Sequence, residues 1–555
     1  MKTKLQFTIL FAIFCVSINA QTPNWQWSKS AGGSSWDMGN GISTDTSGNV
    51  FVIGSFLSSE ITIGTTTLAN VGVNNADIYV VKYDAAGNVL WANSAGGTAD
   101  EFGEAVSTDA GGNVVVTGFF NSPSITFGST TLTNPGLFVV KYDASGNVLW
   151  AKSAGGAGLG RGIATDASGN VLVIGCFYSP SITFGTTTLT NVGVSGADIF
   201  VVKYDASGNA IWAKSAGGTS NDWGRKHIST DAGGNVLVTG SFYSPSITFG
   251  TTTLTNARAD TTDIFVVKYD ASGNVLWAQS AGGYESDGAN GISTDASGNV
   301  YVTGYFQDST ITFGTITLTN VVNYGYRDIF VVKYDASGNV LWAKSAGGYG
   351  VDAGNGISTD AKGNVLVTGS FDSAPITFGT TTLTNAGLDD IFVAKYDTSG
   401  NLLWAKSAGG TSSDVGSGIS ADANGNVLVI GNFESSSITF GTTTLTNASF
   451  SYHDIFVAKL DSTGAVGITE TNNFLNTTNI FPNPFSTQTT LKTDNLLKNA
   501  TLTVYNLYGQ TVKEIKNILR QTVIISRDNL ASGLYFVRLT ENNKTLAVDK
   551  LVITD

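Results

Sequence analysis

One tryptophan position recurs seven times and constrains this chain more than any other feature. Trp27, Trp91, Trp150, Trp212, Trp277, Trp342 and Trp404 are separated by 64, 59, 62, 65, 65 and 62 residues. A period of that size marks a repeat architecture, in which one supersecondary unit packs on its own copies. Each period carries the same parts. In the copy that runs from Gly291 to Gly348, "GISTD" leads through a turn to "NVYVTGYF". A Thr-rich stretch, "ITFGTITLTN", follows, then "DIFVVKYD", a second turn and "NVLWAKSAGG". The spacing predicts four strands, a to d, with a small hairpin between b and c. Glycine (67 residues) far outnumbers proline (8), and only 13% of residues are charged, which suits short strands joined by glycine turns. No long stretch has the 3.6-residue period of an amphipathic helix.

A D-x-x-G-N motif joins the strands. It links a to b at Asp45, Asp109, Asp166, Asp231, Asp295, Asp360 and Asp422, and c to d at Asp84, Asp143, Asp205, Asp270, Asp335 and Asp397. Asp caps such a turn with its carboxylate and Gly supplies a positive φ. The spacing lacks the alternating ligands and closing Glu of a calcium loop, so the motif is read as a turn. Strands b and c ("NVLVTG", "IFVVKY") are apolar on both faces, which requires sheets stacked face to face. The first copy supplies strand d alone, "NWQWSKSAGG" (Asn24 to Gly33), and the last supplies a, b and c, ending near Ala465. Pairing the spare strand with the incomplete copy removes two exposed edges. The expected fold class is all-β: a seven-bladed β-propeller closed by an N-terminal strand, followed by a small C-terminal β-sandwich. In that frame the tryptophan is a packing residue between repeats. The expected boundaries are a signal peptide at 1–20, the repeats at 21–466, a linker at 467–479 and the sandwich at 480–555.

The repeats resemble a bacterial β-propeller repeat family with the pattern "DIFVxKYDxxGNxxWAxxxGG" and "GIxxDxxGNVYVTGxF". The resemblance covers residues 24 to 465 and implies a fold and an extracytoplasmic setting without a single activity. The inserted Thr-rich hairpins depart from its plainest versions. The tail speaks another language: "PNPF" (Pro482 to Phe485), "LYGQTV" (Leu507 to Val512) and "SGLYFVRL" (Ser532 to Leu539). Three motifs in that order resemble the type A C-terminal sorting domain of the type IX secretion system. The resemblance implies passage across the outer membrane of a Gram-negative bacterium and contact with the type IX secretion machinery. The sorting residues it points to are Pro482, Asn483, Pro484, Gly533, Tyr535 and Lys550; ending on Asp555 is a departure from the basic residues the family often carries there.

The first twenty residues agree with export. Lys2 and Lys4 precede an apolar run from Phe7 to Val16, and Ala20 is a plausible cleavage position. The run is short for a transmembrane helix, and no other apolar stretch is long enough for one. Cys15 falls in this segment, which leaves Cys176 without a disulfide partner; it is read as a small buried strand residue. The expected location is therefore secreted or on the outer cell surface. A net charge of −13 without a basic stripe argues against nucleic acid as a partner.

The d-to-a and b-to-c connections leave the sheets at one end, where the copies differ most and where loops on a rigid scaffold place binding residues. Candidates for ligand contact are Trp36 and Asp37, Asp100 and Glu101, Asp222 and Trp223, Arg225 and His227, Tyr284 and Asp287, and Tyr349 and Asp352, with Asp414 in an equivalent place. Aromatic rings beside acids suit sugars. The segment "NDWGRKHISTD" (Asn221 to Asp231) departs most from the repeat. Solvated decoration of diverged repeats is the plainer reading of these loops. No metal, cofactor or catalytic residue is assigned. Glycosidases need two carboxylates across a cleft; Glu101 and Glu104 are available but nothing singles out a pair. The repeats contain four arginines, Arg161, Arg225, Arg258 and Arg327, and two histidines, His227 and His453. The expected function is a secreted or surface-displayed, monomeric binding or adhesion protein for an extracellular polysaccharide or protein. A polysaccharide hydrolase or lyase, or a structural surface component, is the alternative.

Overall fold

The computed structural model describes residues 23–72, 74–193, 196–322, 325–449, 451–462, 478–506, 510–541 and 544–555. The expected signal peptide, Cys15, most of the expected linker and Leu507 to Gly509 of the "LYGQTV" motif lie outside the described residues. The chain divides into two units, Met1–Ala465 and Val466–Asp555.

Among the described residues the first unit holds seven four-stranded antiparallel sheets and seven two-stranded hairpins. Sheet five is typical: Gly288–Thr294, Val300–Phe306, Asp328–Tyr334 and Val340–Ala346 lie side by side in chain order. The all-apolar b and c strands are buried along their whole length, as in Val50–Phe56 and Asp77–Tyr83 of sheet one. Their side chains meet those of the next sheet. With the sheets numbered in chain order, one core cluster joins Leu172 and Ile174 of sheet three (strands within 158–216) to Val236 and Val238 of sheet four (strands within 222–281). Another joins Leu428 and Ile430 of sheet seven to Val50 and Val52 of sheet one.

The expected closed seven-bladed β-propeller is corrected by the strand pairing. Among the described residues each of the seven sheets is an open sheet of four strands; none is closed or curled, and no strand ladder runs from one sheet into the next. The physical reason lies in the two apolar faces of b and c. They make successive copies meet face to face, about 10 Å apart, which is packing distance and not ladder distance. The N-terminal strand Trp25–Ala31 does pair with Asp454–Leu460, with Trp27 opposite Lys459 and Ala31 opposite Ile455. It completes the seventh open sheet without closing a barrel. Between sheets run threonine hydroxyl bonds: Thr108 to Thr44 O (3.0 Å), Thr294 to Thr230 O (2.9 Å), and Thr44 to Ala421 O (2.8 Å).

The recurring tryptophan serves this packing. Trp212 Nε1 donates to Ala271 O in the next sheet's c–d turn (3.1 Å), and Trp27, Trp91, Trp150, Trp277 and Trp342 donate to the equivalent carbonyls. The turn glycine stacks on the same ring: Gly273, at φ +82°, has open space only as far as the Trp212 indole. At this turn end the a–b aspartates are saturated. Asp231 accepts the backbone N–H groups of Gly233 and Asn235 and the Asn235 side-chain amide, and pairs with buried Lys268 at 2.9 Å. Lys141–Asp109, Lys203–Asp166 and Lys395–Asp360 repeat the pair at 2.9 Å.

The second unit is a pair of sheets, one of three strands and one of four, that share one core containing Leu491, Ile525, Leu502, Val537 and Leu551. Its first strand is Thr478–Phe481, slightly earlier than the expected start.

Candidate functional site

The loop end of the first unit carries most of the sequence-derived candidates, and their carboxylates are inside. Asp37, Glu101, Asp222, Asp287, Asp352 and Asp414 open or immediately precede the a strands and have no exposed surface. They hold the b–c connection of their own sheet. Asp222 accepts Ser244 Oγ at 2.7 Å and the N–H of Tyr243 and Ser244; Asp37, Asp352 and Asp414 hold Ser58, Ser373 and Ser435 in the same way. Each also faces an acid of the preceding sheet, the aspartate that opens strand c. Asp77, Asp198, Asp263, Asp328, Asp390 and Asp454 are buried, and the Oδ1 of each has no hydrogen-bond partner among the described residues. That oxygen lies against the first glycine of "SAGG": a methyl group on Gly96, Gly217 or Gly347 would overlap Asp77, Asp198 or Asp328. The glycine is small because the carboxylate needs the room.

Burial sets the electrostatics here. It pushes Asp37 and Asp222 up to about 6, with the Ser58 and Ser244 bonds only partly offsetting it. Burial, with the charge of Asp37, brings Asp454 to about 7. Burial, with the charges of Asp308 and Asp263, brings Asp287 to about 9. Where sheet two meets sheet three both acids are absent together: Gly136 opens strand c and Gly158 opens strand a. The two acids behave as one structural unit, present or missing as a pair.

The other candidates divide. Trp36 is 42% exposed, Tyr284 73% and Tyr349 79%. Trp36 packs edge-on against His453, and Arg258 lies over Tyr284. Asp100 accepts the Ala76 N–H. Trp223, Arg225 and His227 lead inward to a polar centre.

That centre is built by a bulge. In six of the seven a strands one extra residue interrupts the register, for example between Gly39 and Gly41 against Gly54 and Ile53. The bulge residues are Asn40, Glu104, Arg161, Asn290, Asn355 and Ser417. In sheet four the register resumes only at Ile228, so Arg225, Lys226 and His227 occupy a wider bulge. These side chains meet. Lys226 Nζ reaches Asn40 Oδ1 (3.1 Å) and Glu104 (3.7 Å), and Arg161 binds Glu104 at 2.5 Å. Asn290 and Asn355 donate to Gly354 O and Gly416 O, and His227 Nδ1 contacts Asn290 O. Burial lowers His227, so its ring is neutral near pH 7. Arg225 lies over the Trp223 ring, and its buried Nε has no acceptor among the described residues. A cavity of 230 Å³ opens among Arg225, Lys226, Asn290, Asn355, Val415 and Ser417.

Sequence reading singled out Arg225 and His227 and weighed Glu104, but not the centre they form with Asn40, Arg161, Asn290, Asn355 and Ser417. The available signal was the residue enclosed in each "GNG", "GSG" or "GRG" triplet, which the bulge turns inward. Cys176 is wholly buried, and burial pushes its thiol up to about 11, the opposite of an activated nucleophile. Glu101 is engaged by Gly97 and Ser122 and Glu104 by Arg161. Among the described residues no group of three or more His, Cys, Asp or Glu is arranged to hold a metal ion.

In the second unit the sorting residues gather at the last strand. Asn483 donates to Lys550 O (2.7 Å) and accepts the Val552 N–H (2.8 Å). Phe485 N donates to Val552 O and Thr554 N to Phe485 O, which ties the "PNPF" segment to the terminus. Gly533 opens the strand that pairs with this one, and Tyr535 donates from the core to Ala531 O. Residues 479–554 match the family described as secretion system C-terminal sorting domain. The tail is a type IX sorting domain. This sorting domain makes the chain a type IX export substrate, secreted or displayed on the outer cell surface. No helix among the described residues is long and apolar enough to cross a membrane.

The repeats are similar to an uncharacterized WD repeat-containing protein of Acanthamoeba polyphaga mimivirus, 26% identical over 75% of this chain and 36% of that protein. They are also similar to the regulatory protein FlaEY of Caulobacter vibrioides, 29% identical over 31% of this chain and 20% of that protein. The chain thus spans about a third and a fifth of these two relatives. Among solved structures, the Pan2 WD40 domain of Neurospora crassa covers 76% of this chain and 88% of its own, at 8% identity and a TM-score of 0.37. A fungal alcohol oxidase in complex with copper covers 96% and 99%, at 13% identity and a TM-score of 0.38. Likeness at that level carries no argument about this chain.

Proposed function

We propose that this exported surface protein is a binding protein, and that an extracellular polysaccharide or protein docks on the loop end of its seven sheets. The observation that carries the reading is the exposure of Tyr284 (73%) and Tyr349 (79%), with Trp36 beside them in kind. All three stand in d-to-a connections, one residue position or a few before an a strand. Large rings held in water on short loops of a rigid scaffold are suited to contact: they offer an apolar face at low entropic cost and stack on sugar faces. The buried carboxylates beneath them serve a different purpose. They fix the connections from which the rings project.

The test is a broad glycan array and a surface-protein binding screen with the full chain, run beside a Tyr284→Ala, Tyr349→Ala double variant. Both side chains are largely exposed, so the variant should melt at the parent temperature. A ligand whose affinity falls roughly tenfold or more in the variant supports the reading. Ligand binding that is unchanged in the variant, or no ligand in either screen, removes it.

A further inference from the structure

We infer that the polar centre is an anion site, and that its cavity takes the carboxylate of a uronate residue from an acidic extracellular polysaccharide. This rests on the polysaccharide form of the binding reading above.

The first ground is the charge inventory. The protein as a whole is strongly acidic, at −13. Arg225 and Lys226 nevertheless line the cavity, and Arg161 and Arg327 are near enough to Arg225 for their charges to repel its own. Lys226 adds a fourth cation. Against these stands Glu104, which Arg161 already holds at 2.5 Å and Lys226 reaches only at 3.7 Å. Arg327 rests on the Tyr305 ring at 4.2 Å and Arg225 on Trp223 at 5.9 Å, neither in an ion pair among the described residues. A guanidinium taken out of water needs an acceptor and a counter-charge. The buried Nε of Arg225 has neither among the described residues.

The second ground is geometry. Sheet four alone widens its bulge, and that extra length is what brings Arg225 and Lys226 to the centre. They line the 230 Å³ cavity together with Asn290, Asn355, Ser417 and Val415. Arginine presents a planar fork that matches a carboxylate. Amide and hydroxyl groups suit the hydroxyls of a sugar ring, and Val415 adds an apolar contact. The cavity is smaller than the ~300–1,000 Å³ typical of drug-sized sites, so it fits one sugar residue and not a run of them.

The experiment is calorimetric titration of the full chain with oligogalacturonate, with the same oligosaccharide reduced to neutral galactose units, and with sodium sulfate. Arg225→Gln, Lys226→Gln and Arg225→Lys are carried in parallel, and thermal melting reports whether each is folded. The expected result is binding of the acidic oligosaccharide, with the neutral one and the Arg225→Gln protein each weaker by roughly tenfold or more. Lys226→Gln, at a half-exposed position, is the variant to read if Arg225→Gln does not fold. Arg225→Lys should fall between parent and Arg225→Gln. Equal binding of acidic and neutral oligosaccharides, unaffected by either neutralising variant, overturns the anion site and leaves the polysaccharide reading standing. Sulfate binding lost in Arg225→Gln, without binding of either oligosaccharide, overturns the uronate and leaves a small-anion site; the polysaccharide reading is then decided by the glycan array and the tyrosine double variant.

Discussion

At the turn end of sheet four, Asp231 receives three N–H groups from its own turn and the Lys268 ammonium at 2.9 Å. At the loop end of the same sheet, Asp263 receives one N–H, from Ala257, and faces Asp287 and Asp308. The side chain is the same, but Asp263 is buried and Asp231 only partly so. Burial pushes each up, but at the turn end the Asn235 and Lys268 bonds win and hold Asp231 below the usual carboxylate range. At the loop end nothing comparable opposes it, and Asp263 rises to about 6. Deeper burial and fewer donors act together to raise the loop-end acid, while the turn-end acid is held ionised by its turn and its lysine.

The largest expected consequence is the pH dependence of stability, because all the sites act together. A loop-end acid with a raised folded value keeps a proton that the unfolded chain has lost above about 3.9. Its contribution is full below that pH and disappears as pH rises through the folded value, about 6 for Asp37 and Asp222 and about 7 for Asp454. The turn-end acids, depressed in the folded state, contribute above about 3.9 and lose that contribution as pH falls further. Melting temperatures from pH 3 to 8 should therefore peak near pH 4 to 5 and decline toward neutrality. A curve still rising from pH 5 to 8 breaks the comparison.

Single substitutions sharpen it. Asp231→Ala strands the buried Lys268 ammonium and uncaps a turn, and should cost about 3–5 kcal/mol in urea unfolding. Gly96→Ala drives a methyl into Asp77 and should cost roughly 1–3 kcal/mol, a loss that shrinks in an Asp77→Gly background. The Asp77→Gly change copies Gly136, which opens strand c at the junction of sheets two and three. Asp454→Asn should do the reverse and stabilise at pH 8 by on the order of 1–2 kcal/mol, since it removes a buried charge that faces Asp37. The gain should vanish at pH 4, where the parent is protonated. The smallest effect expected is from Trp212→Phe, which removes one bond to Ala271 O and should cost about 1 kcal/mol.

Much of the fold was legible before any coordinates. The a, b, c and d strands, the Thr-rich hairpins and the return of strand d from the N-terminus to the last sheet follow from repeat period and strand pattern, and Trp27 does face Lys459. The sorting tail was legible from "PNPF" and its partners because those motifs are contiguous. What misled was the inference of closure, since pattern reports which faces are apolar and not whether sheets join by ladder or by packing. The candidate site was legible in part. Tyr284 and Tyr349 are exposed as loop position suggests, whereas Asp37, Asp222 and Asp352 read as loop acids and are wholly buried. A loop residue one place from a strand can point either way, and only the neighbouring sheet decides.

By itself, then, the sequence determined the repeating strands, the turn chemistry and the tail, because each depends on residues a few positions apart. The tertiary structure alone decided which acids share a proton-holding joint and which cations share a centre. Asp454 and Asp37, or Arg161, Arg225 and Arg327, come from different sheets, and their mutual charge exists only once those sheets are packed.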